Sequence, residues 1–419
     1  MAKDVLFPQG IEVQNADGSL ITLSMKEATL RNLFDVRRSY TMCPTPEGQN
    51  LVGGGLIRYR IPILTKSNNY SNSDNPAQNV SYDEVYCQIS NYRHQGIKLN
   101  QFDFSMLVNG GQLQAQTLAN MQESIICDKN KYFFDGLKAF FDAHPEKTCY
   151  FPELTTPEML STDAMRTIQK FTQWKIAELS RQINNKYVGV KPSEFFVITD
   201  AFAGINVNML LSGLNASSEA FREIEYGKYG IEGPANGADF ILGGIPYIND
   251  NFMEQYIPAN FSFNDAIMDL SNYNGFVLHP ESVGFPFGIE TSLAFISQKS
   301  LQPEYHTTYC FGFKVIRPEL VLAYVKDLRT IGTPAMAAGD VKDVSAFINV
   351  DSRFTSVSLA TSSESVATVS GSKITAVGVG TCNITVTVGD ESKTFELTVS
   401  ASRNAKLNSA AKTNSETKA

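Results

Sequence analysis

Four histidines, six cysteines and 43 carboxylates are the groups of this chain that could hold a metal or move a proton. His94, His144, His279 and His306 stand singly, and none belongs to the His-Glu-x-x-His spacing that aims two imidazoles at one zinc ion from a helix face. Cys43, Cys87, Cys127, Cys149, Cys310 and Cys382 are likewise scattered, with no pair at metal or redox spacing, and are read as small buried hydrophobes or inert thiols. No Gly-x-Ser-x-Gly turn offers an exposed nucleophile. Gly53-Gly54-Gly55 and Gly243-Gly244 lack the following Lys-Ser/Thr of a phosphate-binding loop and read as turns. Glu223 and Glu225 form a carboxylate pair, but any chain with so many acids offers such pairs, and carboxylate chemistry leaves no short motif. The sequence therefore nominates no catalytic, cofactor-binding or metal-ligating residue and implies no cofactor. Asn215-Ala216-Ser217 and Asn383-Ile384-Thr385 fit the glycosylation acceptor pattern and are read as chance matches in a chain without an export segment.

The bulk composition narrows the class. A chain of 419 residues predicts two to four structural units and a large core. Hydrophobic residues at 43% and charged residues at 19% exclude collagen, coiled coil and wholesale disorder. A net charge of −8 argues against a surface that coats nucleic acid. The N-terminus carries no apolar run of signal-peptide length. The two long charge-free runs, 104–122 and 201–218, are dotted with Asn, Gln or Ser and could not sit in lipid. A soluble protein made in the cytoplasm, with no membrane partner, is expected.

The elements follow from periodicity. Residues 1–50 are poorly periodic and read as an extended arm with one short helix over 24–34. Ile57, Tyr59, Ile61 and Ile63 alternate with Arg58, Arg60 and Pro62, which predicts a strand. Residues 65–84 are almost wholly polar, and a second alternating strand follows with Val85, Cys87 and Ile89 on one face. Two strands joined by a long polar tip make a projecting hairpin, and loops of that length inside compact domains are often functional. A long helix is expected over 112–141, bent near Asp128, with Phe133, Phe134, Leu137, Phe140 and Phe141 in its stripe. A second helix is expected over 162–186, with Met165, Ile168, Ile176, Leu179 and Ile183 on one face and Trp174 beside it as a core or subunit-contact residue. Buried strands are expected at 194–199, 240–242 and 245–248, and a further strand pair at 275–278 and 309–316. Helices and strands mix without a βαβ rhythm, so the class is α+β. Residues 333–339 read as a linker, 346–400 as a small all-β unit whose three phenylalanines, Phe347, Phe354 and Phe395, are core, and 401–419 as a disordered tail.

Two resemblances emerge from these parts. Ser365-Val366-Ala367-Thr368-Val369, then Ile374-Thr375-Ala376-Val377-Gly378-Val379-Gly380-Thr381 and Cys382-Asn383-Ile384-Thr385-Val386, resembles the bacterial immunoglobulin-like group-two family over 357–399. The order arm, projecting hairpin, long helix and α+β body resembles the major capsid protein of tailed phages, the Hong Kong ninety-seven type of coat fold. Phe240-Ile241-Leu242-Gly243-Gly244-Ile245-Pro246-Tyr247-Ile248 is similar to that family's strand-turn-strand late in its axial domain, and Phe311-Gly312-Phe313-Lys314-Val315-Ile316-Arg317-Pro318 to its closing strand.

The second resemblance implies a phage coat fold divided into an N-terminal arm at 1–50, an extended loop hairpin at 51–104, and a spine helix with the start of the peripheral domain at 105–160. The axial domain would occupy 161–274, the return through the peripheral domain 275–335, and the immunoglobulin-like sandwich 340–400. It implies a non-enzymatic subunit, made in the host bacterial cytoplasm, that assembles with itself as hexamers and pentamers of an icosahedral virion shell. A separate scaffolding protein, portal and head-completion proteins would be partners, and packaged DNA would be met only non-specifically. The appended sandwich would face outward, bind host-surface glycans, hang on its linker and be dispensable for shell closure. Lys66 is the sole lysine near the hairpin tip through which a covalent crosslink to an Asn could form. The second reading is a carbohydrate-active enzyme or surface-binding protein with an immunoglobulin-like accessory module, a class that is usually exported.

Overall fold

The computed structural model describes residues 12–14, 20–22, 55–63, 81–98, 110–151, 162–182, 190–199, 231–232, 240–242, 244–250, 269–296 and 303–401. The short helix at 24–34, the hairpin tip with Lys66, the Glu223/Glu225 pair and the tail beyond 401 lie outside these residues.

β1 (Glu12–Gln14) and β2 (Leu20–Thr22) pair antiparallel in the arm. β3 (Leu56–Pro62) and β4 (Tyr82–Gln88) form a two-stranded ribbon, and β5 (Asn91–Lys98) follows directly. α1 (Gly110–Ala143) is the long helix, two residues longer than expected at each end and helical without a break at Asp128. It contains no proline, and Pro145 opens the single 3₁₀ turn that follows it. β6 (Thr148–Tyr150), α2 (Thr162–Gln182) and β7 (Phe196–Thr199) come next, then β8 (Ile231–Glu232), β9 (Phe240–Leu242) and β10 (Ile245–Asn249). The strand expected at 194–199 begins at Phe196, because Pro192–Glu194 is a 3₁₀ turn.

β11 (Tyr273–Leu278), β12 (Val283–Gly284), β13 (Phe287–Ile296), β14 (Pro303–Phe311), β15 (Lys314–Val315) and β16 (Val321–Val325) complete the body. The C-terminal unit holds β17 (Ala335–Ala337), β18 (Val341–Asp343), β19 (Ser358–Thr361), β20 (Ala367–Ser370), β21 (Lys373–Ala376), β22 (Gly380–Val388) and β23 (Glu391–Ser400).

A seven-stranded mixed sheet, ordered β6-β16-β11-β7-β10-β9-β8, is the centre of the body. It draws strands from 105–160, 161–274 and 275–335 alike. The pairs β10/β7 and β16/β6 are parallel and the rest antiparallel. Its inner strands bury both faces, which is why 196–199 and 321–325 read as unbroken apolar runs. The strand pair expected between 275–278 and 309–316 does not form. β11 is taken up by β16 and β7, while β14 is the middle of a separate three-stranded sheet, β13-β14-β5.

α1 joins the two sheets. Phe133, Leu137 and Phe141 recur every fourth residue and are fully buried with Phe134. Phe141 stacks on Phe276 of β11 and Phe134 meets it tilted, while Phe133 meets Phe285 and Tyr132 meets Phe311 of β14. At about 1.5–3 kcal/mol per buried large side chain, each ring of this cluster contributes substantially to the body's stability.

The C-terminal unit is a sandwich of β17-β23-β22-β19 against β18-β21-β20. Alternation puts Cys382, Ile384, Val386 and Val388 of β22 and Phe395, Leu397 and Val399 of β23 inside. The segment 333–339 is not a free tether. Ala335–Ala337 is the strand that runs parallel to the end of β23, with Thr398 N–H donating to Pro334 O and Ala338 N–H to Ser400 O. Phe347 and Phe395 are core, as expected, but Phe354 leaves the sandwich to meet Phe171 of α2 edge-to-face at 5.2 Å.

Candidate functional site

No cluster of three or more His, Cys, Asp or Glu side chains is gathered to hold a metal among the described residues. Five cysteines are described; all are buried and outside any disulfide, and burial pushes the Cys87 and Cys149 thiols up to about 11. His144 closes α1 beside Glu146. His279 is buried, its imidazole held below the ordinary histidine range by desolvation against the pull of Glu194. His94 and His306, far apart in sequence, are brought side by side on the β5-β14 sheet. No helix among the described residues is long and apolar enough to cross a membrane. What the fold displays instead are two surfaces, the β3-β4 ribbon and the seam between body and sandwich.

The ribbon is sealed on one face, most tightly at its root. Ile57, Ile89 and Cys310 are buried together with the Tyr59 ring against them. The ring lies so close over Gly284 that a Cβ there would come within 2.6 Å of it, so glycine is what lets the ribbon seat on the body. Beyond the root the alternation expected from the sequence holds, but its second face has nothing to cover it among the described residues. Leu56, Tyr82 and Tyr86 are 62%, 46% and 47% exposed. Arg58 and Arg60 both approach Glu84 at 3.4 Å, and Tyr86 OH donates to Glu84 at 2.7 Å. That hydrogen bond, with the two guanidinium groups, keeps the Glu84 carboxyl below its usual range. No third strand joins β3 or β4 among the described residues. A lone two-stranded ribbon is marginal in water, and its open edges are templates for another chain.

The seam is built differently. Asn349, 3% exposed, satisfies its whole amide group. Its Nδ2 donates to Thr148 Oγ1 and Asp327 O, each at 3.2 Å, and its Oδ1 accepts from Arg329 N–H at 2.7 Å. Its backbone carbonyl accepts from Tyr150 N–H, so the edge of β6 continues into the sandwich. Beside it, Asp351 pairs with Lys175 of α2 at 2.6 Å and with Arg353 at 2.6 Å. Arg353 also reaches Glu178 at 2.7 Å and lies over the Trp174 ring at 5.2 Å. Burial works against the Asp351 charge, yet the hydrogen bonds from Arg353 and Lys175 outweigh it and hold the carboxyl down at about 2. A cleft of about 470 Å³ opens here, lined by Lys147, Cys149, Lys175, Glu178, Asp343 and Asp351 among others. Asp343 is spent on the hydroxyls of Ser345, Ser352 and Ser372. Lys175, Glu178, Asp343, Asp351 and Arg353 thus enter the cleft already engaged with one another or with nearby hydroxyls, the chemistry of a joint.

Sequence reading found the ribbon and missed the seam. Trp174 was expected in a core or a subunit contact; it is 45% exposed and caps the seam through Arg353 and Phe354. Lys175, Asn349, Asp351 and Arg353 carry no motif, and only the clustering of Asp351, Arg353 and Phe354 just before β19 hinted at a contact.

No family model matches the chain, and no curated protein matches it. Among solved structures, the capsid of cyanophage P-SCSP1u is similar at 13% identity and a TM-score of 0.45, covering 72% of this chain and 92% of that one. The capsid of Ralstonia phage GP4 is similar at 9% identity and a TM-score of 0.45, over 74% of this chain and 99% of that one. The structure of Mycobacterium phage Che8 is similar at 14% identity and a TM-score of 0.42, over 73% of this chain and 97% of that one.

Proposed function

We propose that this chain is the shell-building subunit of a tailed bacteriophage, a major capsid protein whose copies join as hexamers and pentamers into an icosahedral head around double-stranded DNA. The observation that carries the reading is the β3-β4 ribbon. It has a root anchored in the body, an outer face bearing Leu56, Tyr82 and Tyr86, and no third strand among the described residues. Such a ribbon gains its order from the body of a neighbouring copy. The order arm, hairpin, long helix and α+β body supports the same reading. So does the net charge of −8, since a shell lining must hold packaged DNA without gripping it. A separate scaffolding protein, a portal and head-completion proteins are the proposed further partners. The sandwich is assigned to the outer face, where it would meet host-surface glycans. No catalytic role is assigned.

Electron microscopy and sedimentation of the expressed chain, alone and with its phage's scaffolding protein, test the proposal. Capsomers or closed shells are expected from the full chain, and a folded monomer from a chain lacking residues 67–77. A chain that stays monomeric with its scaffold would overturn the proposal, whereas normal particles from the deletion would keep the shell role and remove the ribbon as its clamp.

A further inference from the structure

The geometry points to a divalent transition-metal site on the β5-β14 sheet, with His94 and His306 as its two protein ligands. β5 and β14 run antiparallel, with Gly96 opposite His306 and Thr308 opposite His94, so the two histidines lie diagonally on one face. His94 Nε2 and His306 Nδ1 stand 3.0 Å apart, with ring centroids at 5.2 Å and planes at 26°. A Cβ on residue 96 would come within 3.0 Å of His306 Nδ1 and 3.2 Å of His94 Cε1, so glycine there leaves both rings room to lie over the strand as they do.

The other nitrogen of His306 decides which atom is offered. His306 Nε2 faces Glu304 Oε2 at 3.3 Å, and Glu304 Oε1 is held in turn by Lys98 at 3.0 Å. With the carboxylate accepting from Nε2–H, the lone pair of His306 is on Nδ1, turned toward His94. This is the arrangement in which a carboxylate behind a ligating imidazole fixes its tautomer and raises its basicity. As the rings stand, Nδ1 accepts the Nε2 proton of His94. Binding a cation requires that proton to pass through water to His94 Nδ1, which frees Nε2, and both rings to turn toward solvent.

The ligand type favours one class of ion: paired imidazole nitrogens suit Ni²⁺ and Cu²⁺. The His306 side chain is 31% exposed, so water can complete the shell.

Titration of the full chain with Ni²⁺ by calorimetry tests the site, with Cu²⁺ electron paramagnetic resonance to count nitrogen ligands. One ion per chain is expected, with two nitrogens in the Cu²⁺ spectrum. His94→Ala and His306→Ala should each weaken Ni²⁺ binding at least tenfold, and Glu304→Gln by about tenfold through the lost tautomer lock. His144→Ala should leave binding unchanged. Thermal unfolding supplies the folding control: all variants should melt as the parent does in chelator, and Ni²⁺ should raise the melting temperature of the parent but not of His94→Ala. Binding that survives both histidine substitutions, or a Cu²⁺ spectrum without two nitrogens, would overturn the site.

Discussion

The ribbon and the C-terminal sandwich are both β-structures set against the same body, yet they are held by opposite means. The sandwich has a core of its own, with Ile374, Ile384, Val386 and Leu397 all but fully buried, and is joined to the body by Asn349 and the Lys175–Asp351–Arg353–Glu178 ion pairs. The ribbon buries Ile57, Ile61 and Cys87 along one face, and among the described residues nothing covers the other. Structure that can bury its own apolar face needs little from outside, and what it adds is rigidity. Structure that cannot must find the missing surface on another molecule.

The sharpest way to break the comparison is to cut the chain after Gly339. A sandwich hung on a tether would be lost without consequence. The seam instead predicts that Tyr150 and Leu328, which pack in the sandwich core, become exposed, and that β6 loses the Asn349 carbonyl at its edge. The body should lose on the order of 5 kcal/mol or more, seen as a lowered, broadened melt in far-UV circular dichroism or as insoluble protein. A truncated chain that melts at the full chain's temperature and still builds shells would show the sandwich to be merely appended.

A single residue should reproduce much of that effect. Asn349→Ala removes the acceptor of the part-buried Arg329 N–H and the donors to Thr148 Oγ1 and Asp327 O. With groups left unpaired at about 1–3 kcal/mol each, a loss of about 3 kcal/mol in urea unfolding is expected. No exposed ribbon residue should approach this.

The ion pairs of the seam give the comparison a pH dependence. The Asp351 carboxyl titrates at about 2 in the folded chain, below its value in the unfolded one. Its contribution is therefore fully present above about pH 4 and is lost as pH falls from about 4 toward 2. Urea midpoints measured at pH 5 and at pH 3 should fall less steeply in Asp351→Asn than in the parent. Equal slopes would mean that the pair does not stabilise the seam.

How much of this could be read in advance depended on whether a feature was local. Alternation in 56–62 and 82–88 and the fourfold stride Phe133, Leu137 and Phe141 are written in neighbouring residues, and both were legible. Strand partners were not. Residues 275–278 and 309–311 are equally apolar, and nothing in either says that α1 will part them into different sheets. The seam was hidden for the same reason. Lys175 and Asp351 are ordinary charges until the fold sets them 2.6 Å apart, and Thr333 to Gly339 looked like a linker because small residues suit a short parallel strand as well as a tether. The His94 and His306 pair is the same case, invisible at a separation of 212 residues.

The smallest expected effect on stability is the most telling for function. Tyr86 is 47% exposed on the ribbon's outer face, with its hydroxyl on Glu84. Tyr86→Ala empties no core position in the isolated chain, so its unfolding free energy should change by no more than about 0.5 kcal/mol. The exposed face is nevertheless the part with no other use in a lone subunit. Burying a tyrosine ring against a neighbour is worth about 1.5–3 kcal/mol, and a closed shell repeats that contact at every copy. Particle yield, measured by sedimentation at fixed protein concentration, should therefore fall steeply in Tyr86→Ala while the monomer melts unchanged. Leu56→Ser, which alters the same face nearer the root, should act in the same direction. Asn349→Ala should show the reverse ratio, a large loss of stability that limits particles only through the amount of folded subunit. If Tyr86→Ala assembles normally, the ribbon is decoration on a self-sufficient body and the contrast between the two β-structures carries no function.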